Sequence, residues 1–326
     1  MNIIRFVKEW TLPVAIAVGT VSYLLFCFVP VLDAPGTALA PVFDFLLPLF
    51  VFLTLFITFC KVDFHQMLPH RWHIGVLVAQ LVLVGVVTAA CWWAGKSSIS
   101  PFEGNGWGWG LLFEALLTCI IGPSAAAAPV VVGKLGGNIS TMTTYTLLSA
   151  FVSALLIPLV FPLLEQTVHT DFLSAFLIIL YKVAVVLLLP LALGWLVQHY
   201  LPALARRIAS MPNLSFYSWA VSLSITTGIT VKNIVHSEAT VTLLAASAGA
   251  TMLLCVVQFI IGRAIGRRLG EEINAGQALF QKNTGLSIWV SYMYLSPVAS
   301  IGAGCYVLWQ NIINSFEIWA ADKGTK

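Results

Sequence analysis

Five consecutive residues, Gln281-Lys282-Asn283-Thr284-Gly285, place an ammonium group, two amides and a hydroxyl inside a long apolar segment. An ammonium group among hydrogen-bond donors is suited to bind an anion. A charged lysine in a membrane interior costs from about 2.5 to more than 10 kcal/mol unless it faces a cavity, finds a partner or loses its proton. We therefore interpret Lys282 as a functional residue.

The sequence leaves three roles open to Lys282. It can be a structural lysine bound to carbonyl groups that a helix break exposes, a fixed cation in a solute site, or a lysine that binds and releases a proton.

A second unusual stretch is Gly122-Pro123-Ser124, which is followed by four alanines, Ala125 to Ala128, and by Pro129. Two prolines six residues apart remove helical hydrogen bonds and clash with preceding carbonyls, so that a helix must kink or break there. An ordinary proline kink packed through small residues is the alternative for this stretch alone.

A broken helix presents unpaired N–H groups and the positive end of its dipole at the start of its second half. We expect these second halves to begin near Ser124 and near Thr284, and to point at one site beside Lys282. The predicted ligand is then an anion with a carboxylate. Glu114 is a candidate partner for Lys282, for Lys182 or for a proton in transit, and a simple internal ion pair is the other interpretation.

The elements that carry these residues are apolar helices, because 59% of the chain is hydrophobic and only 9% is charged, where soluble domains have about 25%. Ten segments have the roughly 20 apolar residues that a membrane span needs. They are Trp10–Leu32, Ala38–Cys60, His73–Trp93, Gly108–Leu135, Ile139–Leu164, Phe172–Val197, Leu214–Val235, Ala239–Ile265, Ile273–Leu295 and Val298–Trp319. We expect the first to be a retained span rather than a signal peptide.

The positions of Lys and Arg predict the orientation of the spans, since cytoplasmic loops hold the excess. Lys96 and Lys232 fall on one side, and twelve fall on the other: Arg5, Lys8, Lys61, Arg71, Lys134, Arg206, Arg207, Arg263, Arg267, Arg268, Lys323 and Lys326. Both termini are thus predicted to be cytoplasmic, in a cytoplasmic (inner) membrane. The scattered net charge of +3 indicates no nucleic-acid partner.

The interrupted spans are the fourth and the ninth, which correspond if residues 1–326 form one transporter unit of two five-span repeats, about 8–165 and 172–319. An odd number of spans inverts the second repeat, and such matched interruptions indicate a secondary-transporter site. The six cysteines stand singly, so that we predict no metal site, and no cofactor is expected.

Three motifs make the sequence resemble the bile acid:sodium symporter family, whose members transport bile acids, pantothenate, steroid sulfates and other organic anions. Gly122-Pro123-Ser124 through Lys134-Leu135-Gly136-Gly137-Asn138 is similar to its crossing segment, Asn283-Thr284-Gly285-Leu286 to its ninth-span N-S-G-L, and Trp309-Gln310-Asn311 to its tenth-span W-x-N. The resemblance implies ten helices in a panel domain and a core domain, with the fourth and ninth broken and crossing at mid-membrane.

The resemblance also locates the family's sodium ligands, and most are replaced. A glutamate and a glutamine of the ninth span correspond to Ala278 and Lys282. A Ser-Asn pair of the fourth span corresponds to Ala128 and Pro129.

A serine and a threonine of the fifth span fall near Met142 and Thr146, while the third-span glutamine is kept as Gln80. Sodium needs several oxygen ligands. We therefore expect that the usual sites do not bind it, with Lys282 as a fixed cation in a sodium position or as a lysine that titrates.

These observations predict an all-α polytopic secondary transporter of a small bile-acid-like or carboxylate anion, working by alternating access, and either proton-coupled or uncoupled. The alternative is an efflux permease for a small inorganic anion or metalloid, favoured only by Cys119 beside the first interruption. An intramembrane enzyme lacks its motifs here, and a channel lacks a repeated pore motif.

Overall fold

The computed structural model describes residues 11–61, 68–96, 108–164, 172–211, 214–237 and 239–324. Some residues of the sequence predictions lie outside the described residues. They are the basic Arg5 and Lys8, the bounds of the first repeat at residues 8 and 165, and the terminal Lys326.

Within these ranges the chain forms thirteen α-helices and no strand. In chain order they are α1 (Thr11–Phe28), α2 (Pro30–Cys60), α3 (Arg71–Lys96), α4 (Trp109–Ile121), α5 (Ala128–Lys134), α6 (Ile139–Leu164), α7 (Phe172–Tyr200), α8 (Pro202–Ala209), α9 (Leu214–Val235), α10 (Val241–Leu269), α11 (Glu272–Phe280), α12 (Thr284–Tyr294) and α13 (Pro297–Gly324).

Five of these helices are long and apolar enough to cross a membrane: Arg71–Ala94, Ile139–Leu164, Phe172–Tyr200, Leu214–Val235 and Val241–Leu269. Helix α2 begins at Pro30, before the predicted Ala38, because a proline is tolerated in the first turn. The short α8 was not predicted; it also starts on a proline, Pro202, and carries Arg206 and Arg207 in its last turn.

The helices pack in two groups. Helix α2 contacts α1, α7 and α9, and these four helices form the panel group, while α3 to α6 and α10 to α13 form the core group. The groups meet where α7 packs on α6, where α2 packs on α12, and where α9 packs on α12 and α13. Any site that both groups line therefore lies at this seam.

Both interruptions that the sequence predicted are present in the core group. The fourth segment stops at Ile121 and resumes at Ala128, and the ninth stops at Phe280 and resumes at Thr284. The expectation that the second half of the fourth segment begins near Ser124 is wrong. Residues before Ala128 form a turn, and α5 begins there because Pro129 fits the first helical turn, where its missing N–H is not needed.

A tight turn positions the ninth segment against α10. Gly270 ends α10 with φ +76°, a left-handed conformation that glycine adopts without strain. The chain then folds back closely, since a Cβ on Gly262 would lie 2.5 Å from the carbonyl oxygen of Ala275. Glycines thus let α10 and α11 pack with their backbones almost in contact.

Candidate functional site

The two interruptions are paired through their backbones. Ser124 lies opposite Lys282 in an isolated antiparallel bridge. The N–H of Ala125 donates to the carbonyl of Gln281 at 2.8 Å, and the N–H of Asn283 donates to the carbonyl of Pro123 at 2.9 Å. Each break thereby supplies the hydrogen bonds that the other has lost as a helix.

Buried side chains satisfy the free carbonyls at the end of α4. The amide nitrogen of Gln80 donates to Ile120 and to Gly122, at 3.1 Å each, and the hydroxyl of Ser153 donates to Ile121 at 2.9 Å. Gln80 is therefore at the first break, where it binds backbone oxygens with its amide nitrogen.

The start of α12 is capped by its own sequence. The side-chain oxygen of Asn283 accepts from the N–H of Leu286 at 3.3 Å, which is the usual N-cap bond. Gly285, in the first turn, lets α12 approach the panel group, because a Cβ there would lie 3.0 Å from Val51 and 3.6 Å from the hydroxyl of Ser222.

Gln310 on α13 holds Lys282 in its extended conformation. Its side-chain oxygen accepts from the Lys282 N–H at 2.9 Å, and its amide nitrogen donates to the Lys282 carbonyl at 3.2 Å. The sequence predicts a supporting role for Asn311 of the Trp309-Gln310-Asn311 motif, and none for Gln310. Asn311 instead donates to Val307 of its own helix at 2.7 Å.

The side chain of Lys282 is 1% exposed, and its Nζ has no hydrogen-bond partner in the described parts of the chain. The described ion pairs do not join Glu114 to Lys282 or to Lys182. Lys182 is exposed on α7, where its Nζ lies 5.9 Å from the centre of the Tyr294 ring. An isolated buried ammonium is unfavourable, and a bound anion, water or the loss of a proton would relieve it.

Lys282 lines a cavity of about 30 Å³ at the seam between the panel and core groups. Such a volume holds one or two water molecules, so that an organic solute requires the groups to separate. The lining residues come from both breaks, from α2 and α9 of the panel group, and from α13: Val51, Thr54, Ala125, Ala126, Trp219, Ser222, Leu223, Thr226, Lys282, Asn283, Thr284, Gly285 and Val307.

Several of the proposed site residues do not line this cavity: Pro123, Ser124, Ala128, Pro129, Gln80, Glu114, Thr146 and Asn311. The backbone N–H of Ser124 donates to Ser149 at 3.0 Å, and the hydroxyl of Thr146 donates to Met142 in its own helix at 3.0 Å. From the sequence alone, the hydroxyls of Ser222 and Thr226 are expected to be helix-packing groups. Only the contact between two sequentially distant segments brings them to the cavity.

Three of the positions to which the resemblance assigns sodium ligands lie in an apolar environment. Ala128, Met142 and Ala278 are fully buried in one hydrophobic cluster together with Trp72 and Tyr145. Aliphatic carbon and a thioether replace the oxygen atoms that a hard cation requires.

The sequence pattern of the sodium bile acid symporter family matches residues 48–237, which is more than half of the chain. This range contains the first break, and the second break with Lys282 lies beyond it. No curated protein matches the chain. The apolar helices, the first break and the extent of this match together show that the chain belongs to the sodium bile acid symporter family.

Proposed function

We propose that this membrane transporter of the bile acid symporter type carries a small organic anion, bile-acid-like or another carboxylate, by alternating access. The observation that carries the proposal is the buried Lys282, whose ammonium group has no partner in the described chain and lines the cavity between the two helix groups. An anion would supply the missing charge and acceptors.

The surroundings of Lys282 favour an anion over a cation. Among the described lining residues there is no aspartate or glutamate, and hydroxyls are offered by Thr54, Ser222, Thr226 and Thr284. The N-terminal end of α12 carries a partial positive charge at the same place. Trp219, Leu223 and Val307 give the apolar surface that an organic body needs.

The full architecture that we propose has ten spans in two inverted five-helix repeats, about 8–165 and 172–319, whose broken fourth and ninth spans cross near mid-membrane. Matched breaks that pair their backbones support this arrangement. Both termini face the cytoplasm of a cytoplasmic membrane, as the bias of Lys and Arg indicates. In alternating access the panel group moves against the core group, which opens the seam to one side at a time.

Transport by this protein does not use the family's usual sodium sites. The apolar packing of Ala128, Met142 and Ala278 supports this part of the proposal. Lys282 supplies positive charge in place of a bound sodium ion. The rival function, efflux of an inorganic anion or metalloid, depended on Cys119, whose thiol donates to Ala115 of its own helix at 3.1 Å and does not line the cavity.

The experiment that tests this function begins with a thermal-shift screen of carboxylates and sulfated organic anions, with and without sodium. Uptake of the best ligand is then measured in proteoliposomes in sodium, potassium and choline buffers, from pH 5 to pH 9. We expect equal uptake in the three salts. Uptake that depends strictly on sodium would contradict the proposal, because it would demonstrate a functional sodium site. Stabilisation by arsenite or another inorganic oxyanion alone would favour the rival permease.

A further inference from the structure

Two buried amide side chains lie beside the second break without any hydrogen-bond partner among the described residues. The oxygen and the nitrogen of Gln281 are both unpaired, and so are the oxygen and the nitrogen of Asn314. Both side chains are 0% exposed. Buried amides are almost always hydrogen-bonded, so that four unpaired atoms indicate a bound polar species.

Helix α13 places Asn314 between two contacts with the ninth segment. On one side of Asn314, four residues earlier in α13, Gln310 binds the backbone of Lys282. On the other side, three residues later, Glu317 accepts a hydrogen bond from Gln277 at 3.1 Å. Residues 310, 314 and 317 share one face of a helix, over a rise of about 10 Å.

The ninth segment also carries amide side chains along its contact with α13. Gln281 follows Gln277 by one helical turn, and the N–H of Gln281 still donates to the carbonyl of Gln277 at 3.0 Å. We expect this spacing to place Gln281 and Asn314 between the two contacts, where the ninth segment and α13 meet. We name Gln277, Gln281, Asn314 and Glu317 the polar file; the remaining oxygen of Gln277 is also buried and unpaired.

Water fits the polar file better than a metal ion does. Gln281 and Asn314 each offer a donor as well as an acceptor, and only a molecule that both donates and accepts satisfies the two kinds of group. A bare cation would leave both NH₂ groups unpaired. It would also lie between two cationic side chains, Lys282 at one end and Arg263 at the other, where Arg263 bonds Glu317 at 2.5 Å.

We propose that the polar file holds a chain of water molecules, through which Lys282 exchanges protons with the face of the protein that carries Arg263 and Glu272. An N–H bond of the ammonium breaks, its proton forms an O–H bond to the adjoining water, and each water passes on one of its own protons. The reverse sequence restores the ammonium. The use of this proton in transport rests on the proposed function, whereas the hydration of the file does not.

Few other titratable groups face this path. The described lining residues beside Lys282 include no second one, and those of α2 and α9 are hydroxyls, the Trp219 indole and apolar groups. Around the file, α10, α11 and α13 contribute Arg263, Glu272 and Glu317, and the Tyr306 hydroxyl is bonded to the carbonyl of Phe280 at 2.6 Å. Buried cysteines flank Tyr306 at positions 119 and 255, and Glu114 lies farther along α4.

The test measures the exchange of lysine ammonium protons with water by NMR, on full-length protein carrying ¹⁵Nζ-labelled lysine and without any added solute. The signal of Lys282 is assigned as the one that Lys282→Gln removes. We expect Asn314→Leu and Gln281→Leu each to slow its exchange by about tenfold or more, because exchange must then wait for local opening. Asn233→Leu is the control, since Asn233 is a buried amide on α9 that donates to the hydroxyl of Ser300 at 2.8 Å and lies outside the file.

Unchanged exchange in both Asn314→Leu and Gln281→Leu would overturn the proposal, and so would equal slowing by the Asn233→Leu control. If a leucine variant does not fold, Gln281→Met and Asn314→Ser provide an apolar and a polar replacement, of which only the first should slow exchange. Because no solute is present, these outcomes do not depend on whether the protein binds an anion.

Discussion

The side chain of Lys282 is the group on which we propose that anion binding depends. Its backbone is held by the first break on one side and by Gln310 on the other, while its ammonium has no hydrogen-bond partner among the described residues. The sequence alone indicates Lys282, because a lysine at the centre of an apolar segment has few explanations. It does not indicate Gln310, since one glutamine among the polar residues of α13 has no distinctive spacing.

Replacement of Lys282 by glutamine should weaken anion binding. A hydrogen bond to a charged group contributes about 1.5–3 kcal/mol, so that the dissociation constant should rise by roughly 10- to 150-fold. Isothermal titration with the best ligand of the thermal-shift screen measures the change, and added sodium should not restore affinity. Lys182→Gln, which removes an exposed lysine outside the cavity, is the control. Equal affinity of the parent and Lys282→Gln would mean that the anion binds elsewhere.

Replacement of Gln310 by leucine should destabilise the second break. The change leaves the buried N–H of Lys282 without an acceptor, and such a group costs about 1–3 kcal/mol. We expect a lower Tm in a thermal unfolding assay in detergent. Asn311→Leu, at an equally buried neighbouring position, should lower Tm less, because its described bond is to its own helix. A Tm for Gln310→Leu at or above that of Asn311→Leu would contradict this role.

At the scale of helices, prolines and polar residues inside apolar segments were enough to predict both interruptions. They did not predict where α5 begins, since the turn at residues 125–127 depends on pairing with a distant segment. They also did not show which hydroxyls of α9 line the cavity and which only pack against other helices, because this depends on the face of α9 that meets the breaks. The close approach of α10 and α11 is a similar case, because a glycine indicates a tight helix contact only when the residue that packs against it is known.

Gly262→Ala should weaken the packing of α10 on α11. The added methyl group would lie 2.5 Å from the carbonyl oxygen of Ala275, so the helices must separate. Gly249→Ala in the same helix meets nothing within 4 Å and should gain about 1 kcal/mol from helix propensity. Tm measured for both variants should therefore move in opposite directions. A parallel shift would show that helix propensity, rather than this contact, dominates at Gly262.

At the scale of the whole molecule, the panel and core groups enclose a cavity too small for an organic anion. The family resemblance implied two such domains, and the contacts of the described helices show two groups. Sequence patterns within single spans could not give the grouping, because apolar helices present similar surfaces to lipid and to protein. Relative movement of the groups is the simplest way for a solute to reach Lys282.

A bulky side chain at the seam should prevent the panel and core groups from closing around a bound ligand. Ser222→Phe places a ring where α9 meets the second break, and the described cavity cannot contain it. We expect ligand binding to be lost while the variant remains monodisperse in size-exclusion chromatography. Val221→Phe, on the exposed face of the same helix, should bind as the parent does. Full binding by Ser222→Phe would place the solute away from this seam.

The pairing of the two breaks also bears on how the protein is made. The N–H of Ala125 and the carbonyl of Pro123 find their partners at Gln281 and Asn283, roughly half of the chain later. Unsatisfied peptide groups are costly in a lipid interior. While the ribosome is still synthesising the second half, the first break lacks these bonds, so a nascent chain that stops before Gln281 should remain a target of membrane quality control. Maturation of the first half thus waits for insertion of the ninth segment.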